Sequence, residues 1–157
     1  MRTLVALLVL FSGNAQGVEM VNPDFENLKS RVLGVWTFIE DNKPYEATFE
    51  AVSHGNALLE RNSGFIAVYH ADENSMIMTL YTRDGNQPRF RAKGFEGKSQ
   101  SIRFGFQDIT NWKSGTEHIN GLEIVFKDRD HVIERWETLR QDGGKLSFEF
   151  ELSRKDR

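Results

Sequence analysis

The residues best equipped for chemistry in this chain sit on stretches that alternate with period two. In "HVIERWETL", Val132, Glu134, Trp136 and Thr138 share one side, and Ile133, Arg135, Glu137 and Leu139 the other. If Trp136 faces a core, Glu134 goes with it, because side chains two apart on a strand point the same way. A carboxylate inside a protein costs several kcal/mol unless a cation or hydrogen-bond donor meets it. The expected solution is an internal Glu–Arg pair; a carboxylate kept for a ligand is the alternative. Glu60 in "GNALLE" is a second candidate acid, and Tyr69 and Tyr81 carry phenols that can reach a ligand or a backbone partner. The basic candidates are Arg89 and Arg91 in "TRDGNQPRFRAKG". Either they lie in solvent with Phe90 inward, or one turns inward as a guanidinium fork for a carboxylate, a ligand's or that of Glu60 or Glu134.

Other chemistries find no footing. The chain has no cysteine, which removes thiol nucleophiles and thiolate metal sites. Its histidines, His54, His70, His118 and His131, do not fall at metal-ligand spacing, and no zinc site is expected. The stretch "LSFEFELS" near the end offers no histidine to hold a haem. There is no Gly-X-Ser-X-Gly elbow and no Gly-rich phosphate loop; Gly94 and Gly97 read as a turn. No catalytic constellation, metal or cofactor is expected.

The first residues, "MRTLVALLVLFSGNAQG", have the layout of a secretory signal: Arg2, a short apolar run from Thr3 to Phe11, then Gly13 and Ala15 before a cut after Ala15 or Gly17. The apolar run is too short for the roughly 20 residues that span a bilayer, so no integral membrane segment is expected. Residues 1–17 are read as a signal peptide and 18–157 as one exported domain, periplasmic or extracellular. Arg2 is the one charge within 1–17, which leaves 19 basic against 23 acidic residues, a net of −4. That balance gives no reason to expect nucleic acid or an anionic membrane as partner.

The elements that must position these side chains are mostly strands. "NPDFENLKSRVLG" reads as one helix, with Asn22 as N-cap, Pro23 in the first turn, Asp24 and Glu26 at the positive end of the dipole, and Phe25, Leu28 and Val32 as an apolar stripe. Everything after Gly34 alternates. "YEATFEAV" sets Tyr45, Ala47, Phe49 and Ala51 on one face; "SIRFGFQ" sets Ile102, Phe104 and Phe106; "GLEIVFKD" sets Leu122, Ile124 and Phe126; "KLSFEFELS" sets Leu146, Phe148, Phe150 and Leu152. Tight turn signals separate about eight to ten such strands, the pattern of an all-β, antiparallel, up-and-down barrel. Closure removes the two sheet edges that a meander otherwise leaves. The helix is suited to cap one end.

Within that frame, Asp84-Gly85-Asn86 supplies the turn of the Thr82–Gly94 stretch, and Pro88 restricts the strand to starting there or just after. In "SMIMTLYT", Thr79 and Tyr81 share a face with Ile77, against Met76, Met78 and Leu80, and the adaptable methionines suit either an ordinary core or a hydrophobic ligand pocket.

Two features carry a resemblance. "LGVW", with Gly34 and Trp36 opening the first strand, resembles the Gly-X-Trp signature of lipocalins and other calycins. There the Trp closes one end of the barrel and an Arg of the last strand covers it, a place Arg154 matches. In addition "GNALLE", "FIAVYHADEN", "MTLYT" and "GNQPRFRA", in that order, are similar to "GSALVE", "MVTVYHLDGD", "LTHYC" and "GNQPRMRA" of an uncharacterised lipocalin-like family of bacterial proteins. The chain departs from it at Leu80 and Thr82, where that family has His and Cys, and at Glu73, where it has Gly. The resemblance implies a calycin-like barrel and no stated activity. It suggests a small apolar or amphipathic ligand inside the barrel, lined by Trp36, Tyr69, Tyr81, Arg91 and Trp136, with Glu60 and Glu134 as polar partners. The alternative is a barrel packed solid by the chain's 12 phenylalanines, acting as an envelope accessory protein.

Overall fold

Asn22 does two jobs at once. Its side-chain oxygen accepts from the Phe25 amide at 3.0 Å, capping α1 (Pro23–Val32), and its amide group donates to the carbonyls of Glu73 at 2.9 Å and Ser75 at 3.2 Å. The helix is therefore pinned to a barrel hairpin at the moment it begins. The computed structural model describes residues 21–96 and 100–155; the expected signal segment lies outside them.

Ten strands follow: β1 (Gly34–Glu40), β2 (Lys43–Val52), β3 (Ala57–Arg61), β4 (Phe65–Asp72), β5 (Ser75–Thr82), β6 (Gln87–Ala92), β7 (Ser101–Thr110), β8 (His118–Phe126), β9 (His131–Leu139) and β10 (Lys145–Arg154). Each pairs antiparallel with its neighbour in sequence, and β10 returns to β1, so the barrel is closed and up-and-down as expected. The α1 stripe of Phe25, Leu28 and Val32 is buried against the end where β1 begins.

That end is sealed. Trp36 is 1% exposed and donates from Nε1 to the Val32 carbonyl at 2.6 Å. The Arg154 guanidinium lies 4.2 Å from its ring centroid and donates to the carbonyls of Leu33 at 2.8 Å and Arg31 at 2.6 Å. One cation thereby covers the aromatic ring and satisfies carbonyls at the helix C-terminus, where no intrahelical donor remains.

The other end is less complete. β1 and β10 pair only at Trp36↔Arg154 and Thr37↔Ser153, whereas β9 and β10 pair from Lys145 to Ser153. Above those two pairs the seam parts, and side chains take over from hydrogen bonds. Phe38 packs against Tyr45 (centroids 5.7 Å apart) and across the gap against Phe150 (5.1 Å), which in turn meets Phe148 (5.6 Å). This explains why the inward phase of β10 is dry only at its lower end. Leu152 is buried, while Phe148 and Leu146 remain 37% and 51% exposed. Phe106 near the same rim is also partly exposed, and Ala51, expected inward, is exposed at the end of β2.

The Thr82–Gly94 stretch is a rim hairpin. Gly85 adopts φ 78°, and Thr82 Oγ1 donates to Asn86 Oδ1 at 3.0 Å. Gln87 donates to the Gly85 carbonyl and accepts from Thr110 and Asn111, tying this turn to the top of β7. Pro88 lies inside β6, buried, beyond the last residue that β6 pairs with β5, so its missing N–H breaks no rung of that ladder.

Candidate functional site

The basic residues of that hairpin face outward. Arg89 holds Asp108 through two bonds of 2.6 Å, and this pairing lowers the carboxyl of Asp108 below its usual range. Arg91 reaches Asp72 at 2.7 Å, Gln107 at 3.0 Å and the Ser75 hydroxyl. Arg91 therefore does not line the interior, and the expected internal Glu–Arg pair does not form. The strand phase decides it: Pro88, Phe90 and Ala92 take the inward positions of β6. Tyr81 is likewise outside, 47% exposed, because Met76, Met78 and Leu80 occupy the interior phase of β5.

Five of the seven expected residues are inside. Trp36 serves the sealed end described above. Glu60, Tyr69, Glu134 and Trp136 form two hydrogen-bonded couples in the barrel's interior. Glu60 (0% exposed) accepts from the Tyr69 hydroxyl at 2.5 Å, and Glu134 (2% exposed) accepts from Trp136 Nε1 at 3.1 Å. Each carboxyl uses its Oε2 in this way; Oε1 of both has no hydrogen-bond partner among the described residues. Glu60 stands between Phe49 and Ala67 in the strand register, and Glu134 between Phe150 and Ile124. Among the described residues no lysine, arginine or histidine pairs with either.

Burial without a cation has a direct electrostatic consequence. Desolvation pushes the Glu134 carboxyl up to about 7, against a smaller opposing pull from the Trp136 hydrogen bond. Glu60 is raised well above its ordinary value, first by burial and then by the negative charge of Glu134, while the Tyr69 hydroxyl works the other way. The two acids are coupled and titrate as a pair, both displaced upward. Tyr69, buried beside both, stays a phenol far up the pH scale.

Above Trp136 the barrel opens. A cavity of about 300 Å³ occupies the mouth, lined by Phe38, Phe65, Leu80, Ile119, Trp136, Phe148 and Phe150, with Asn62, Thr82, Arg83 and Asp84 on its lip. Phe65 meets Trp136 edge-on at 5.1 Å. Of the expected lining residues only Trp136 reaches this cavity. Its other walls were signalled only by the inward phase of Phe148 and Phe150, and nothing in one strand's pattern says that the seam beside it will part. A larger depression of about 730 Å³ lies partly over the paired Gly105 and Gly121, but it is open to solvent. The charges around it, Arg103, Glu123, Arg135 and Glu149, pair with one another.

His118, buried between the rings of Phe106 and Trp112, leaves Nδ1 without a partner. His54 and His131 are exposed and His70 is half-buried. No group of three or more metal-binding side chains occurs among the described residues, and no helix among them is long and apolar enough to cross a membrane.

No protein-family model matches the chain, and no curated protein matches it in sequence. Among solved structures, the chain is similar in fold to the crystal structure of Rv2717c from M. tuberculosis, with a TM-score of 0.57 at 12% identity over 86% of this chain and 98% of that one. A likeness at that identity is one of fold, and a fold hosts many functions.

Proposed function

We propose that this barrel binds a small apolar or amphipathic molecule at its open end, as a lipocalin-like carrier or sensor without chemistry of its own. The observation that carries this reading is the aromatic mouth: a cavity of about 300 Å³ bounded by Phe38, Phe65, Trp136, Phe148 and Phe150. That is the lower end of the size range of small-molecule sites, which are concave, mostly apolar and furnished with a few polar groups. This volume favours a binding mouth over the alternative of a barrel packed solid by its phenylalanines. Export is part of the proposal, resting on the signal-like run from Met1 to Gly17. A mature N-terminus at residue 16 or 18 in protein from the periplasm or medium is its test.

Native mass spectrometry of protein from its own host, with thermal shifts across a panel of lipids and metabolites, tests the binding. A ligand at a hundred times its dissociation constant adds about 2.7 kcal/mol to stability, a readily measured shift. Bare protein in every preparation together with no shift across the panel defeats the proposal.

A further inference from the structure

We infer that the ligand is an aliphatic primary amine, its ammonium held by the free oxygens of Glu60 and Glu134 and its tail in the aromatic mouth. This deepens the binding reading above and rests on it. Three features of the geometry lead here. The two carboxyls enter from β3 and β9, strands separated by three neighbours on one side of the ring and five on the other. They thus approach the interior from different walls rather than from one. Each already has a single protein donor, Tyr69 or Trp136, and each keeps Oε1 unpartnered while 0% and 2% exposed. Trp136 joins the two regions, because its ring lines the mouth and its Nε1 holds Glu134.

The chemistry selects the head group. Two buried oxygens that lack donors call for a group carrying several N–H bonds and a positive charge, which an ammonium supplies with three donors. A quaternary ammonium has the charge and no donor. An alcohol has one donor and no charge. A carboxylate adds negative charge to an interior that already holds two acids. Trp136 and Phe65 line the mouth, and aromatic rings there attract a cation. The tail must be apolar to replace water against Phe38 and Phe150.

Isothermal titration calorimetry at pH 8 with three probes of equal chain length tests this: n-hexylamine, 1-hexanol and hexyltrimethylammonium. The amine is protonated there, having a pKa close to that of lysine. The inference expects hexylamine to bind about tenfold or more tighter than either of the others, the worth of a charge-assisted hydrogen bond. In the E60Q/E134Q double variant that preference shrinks to within about threefold, since amide groups keep the shape and lose the charge. Equal affinity for hexylamine and hexanol in the native protein overturns the inference while leaving the aromatic mouth as a binding site. Equal affinity for the two cations removes the role of the N–H donors and overturns it as well. Failure of all three probes to bind overturns the inference, and the binding reading then stands or falls on the lipid and metabolite panel above.

Discussion

Replacing Glu134 by glutamine should make the protein markedly less sensitive to pH, and the size of the effect follows from burial. In the unfolded chain Glu134 titrates at its ordinary value of 4.5, while burial raises it to about 7 in the folded protein. Between those values the folded state binds more protons than the unfolded state, so stability falls as pH rises; it is greatest below 4.5 and the loss is complete above 7. The difference of about two and a half units, at 1.36 kcal/mol each, amounts to about 3 kcal/mol lost from this one group. Glu60, also raised, extends the fall to higher pH. The surface acids held by partners, Asp108, Asp128 and Glu137, are lowered, so their contributions change only on the acid side and are constant from pH 5 to 8. Tyr69, the other titratable group facing the pair, is raised and does not ionise in that range. Urea denaturation of native and E134Q protein at half-unit steps from pH 5 to 8 is the assay. The difference between the two curves reports Glu134 together with the part of the rise of Glu60 that the Glu134 charge causes, because every other ionisable residue is common to both. Native protein should lose about 1–2 M in its urea midpoint relative to E134Q over this range, for urea slopes typical of small domains. A difference that stays flat, or one that grows in favour of the native protein as pH rises, refutes the assignment of Glu134 as a buried acid without a cation.

Two further substitutions probe the sealed end. Arg154→Ala removes the cover of Trp36 and the donors to the carbonyls of Leu33 and Arg31. It should cost about 2–4 kcal/mol by chemical denaturation, with Arg154→Lys recovering less than half because an ammonium cannot stack and fork at once. Asn22→Ala deletes a helix cap and two bonds to the β4–β5 turn; it should cost about 1–3 kcal/mol and raise amide exchange in the first turn of α1 before it does so in the strands.

How far the sequence carried can be judged at individual positions. Period-two alternation gave the strands, because it is a local pattern whose consequence is local, and the calycin resemblance carried by Gly34 and Trp36 implied the cover by Arg154. The phase of "HVIERWETL" put Glu134 and Trp136 inside for the same reason. The partner of Glu134 was not legible. A strand pattern says that a side chain points inward and is silent on what stands across the barrel, which depends on register and shear. Arginine was the natural expectation for a buried acid, but the inward positions of β6 went to Pro88, Phe90 and Ala92. Tyr81 was misplaced because both faces of "MIMTLYT" are apolar enough to pack. Ile77, on the outer phase, is itself buried. Nor does anything in β1 or β10 alone announce that they pair at only two positions.

That short seam and the two acids belong to one physical problem. An internal Glu–Arg pair would have been complete in itself: charge cancelled, donors and acceptors matched, nothing left for a visitor. Two acids cannot do this for each other. When both are ionised they repel, and when both are neutral each holds its proton only because water has been excluded. On the inference above, the companion they lack is a cation from outside, and a cation needs a route. A barrel hydrogen-bonded along its whole seam would offer none without unzipping rungs of ladder. Here the rungs stop at Thr37 and Ser153, and the closure above is made by Phe38, Phe148 and Phe150, which can turn aside without breaking a backbone bond. The aromatic closure and the unpaired acids are each hard to explain as devices for stability. Taken together they are what the proposed amine site needs: a rim closed by side chains alone and a floor of two acids.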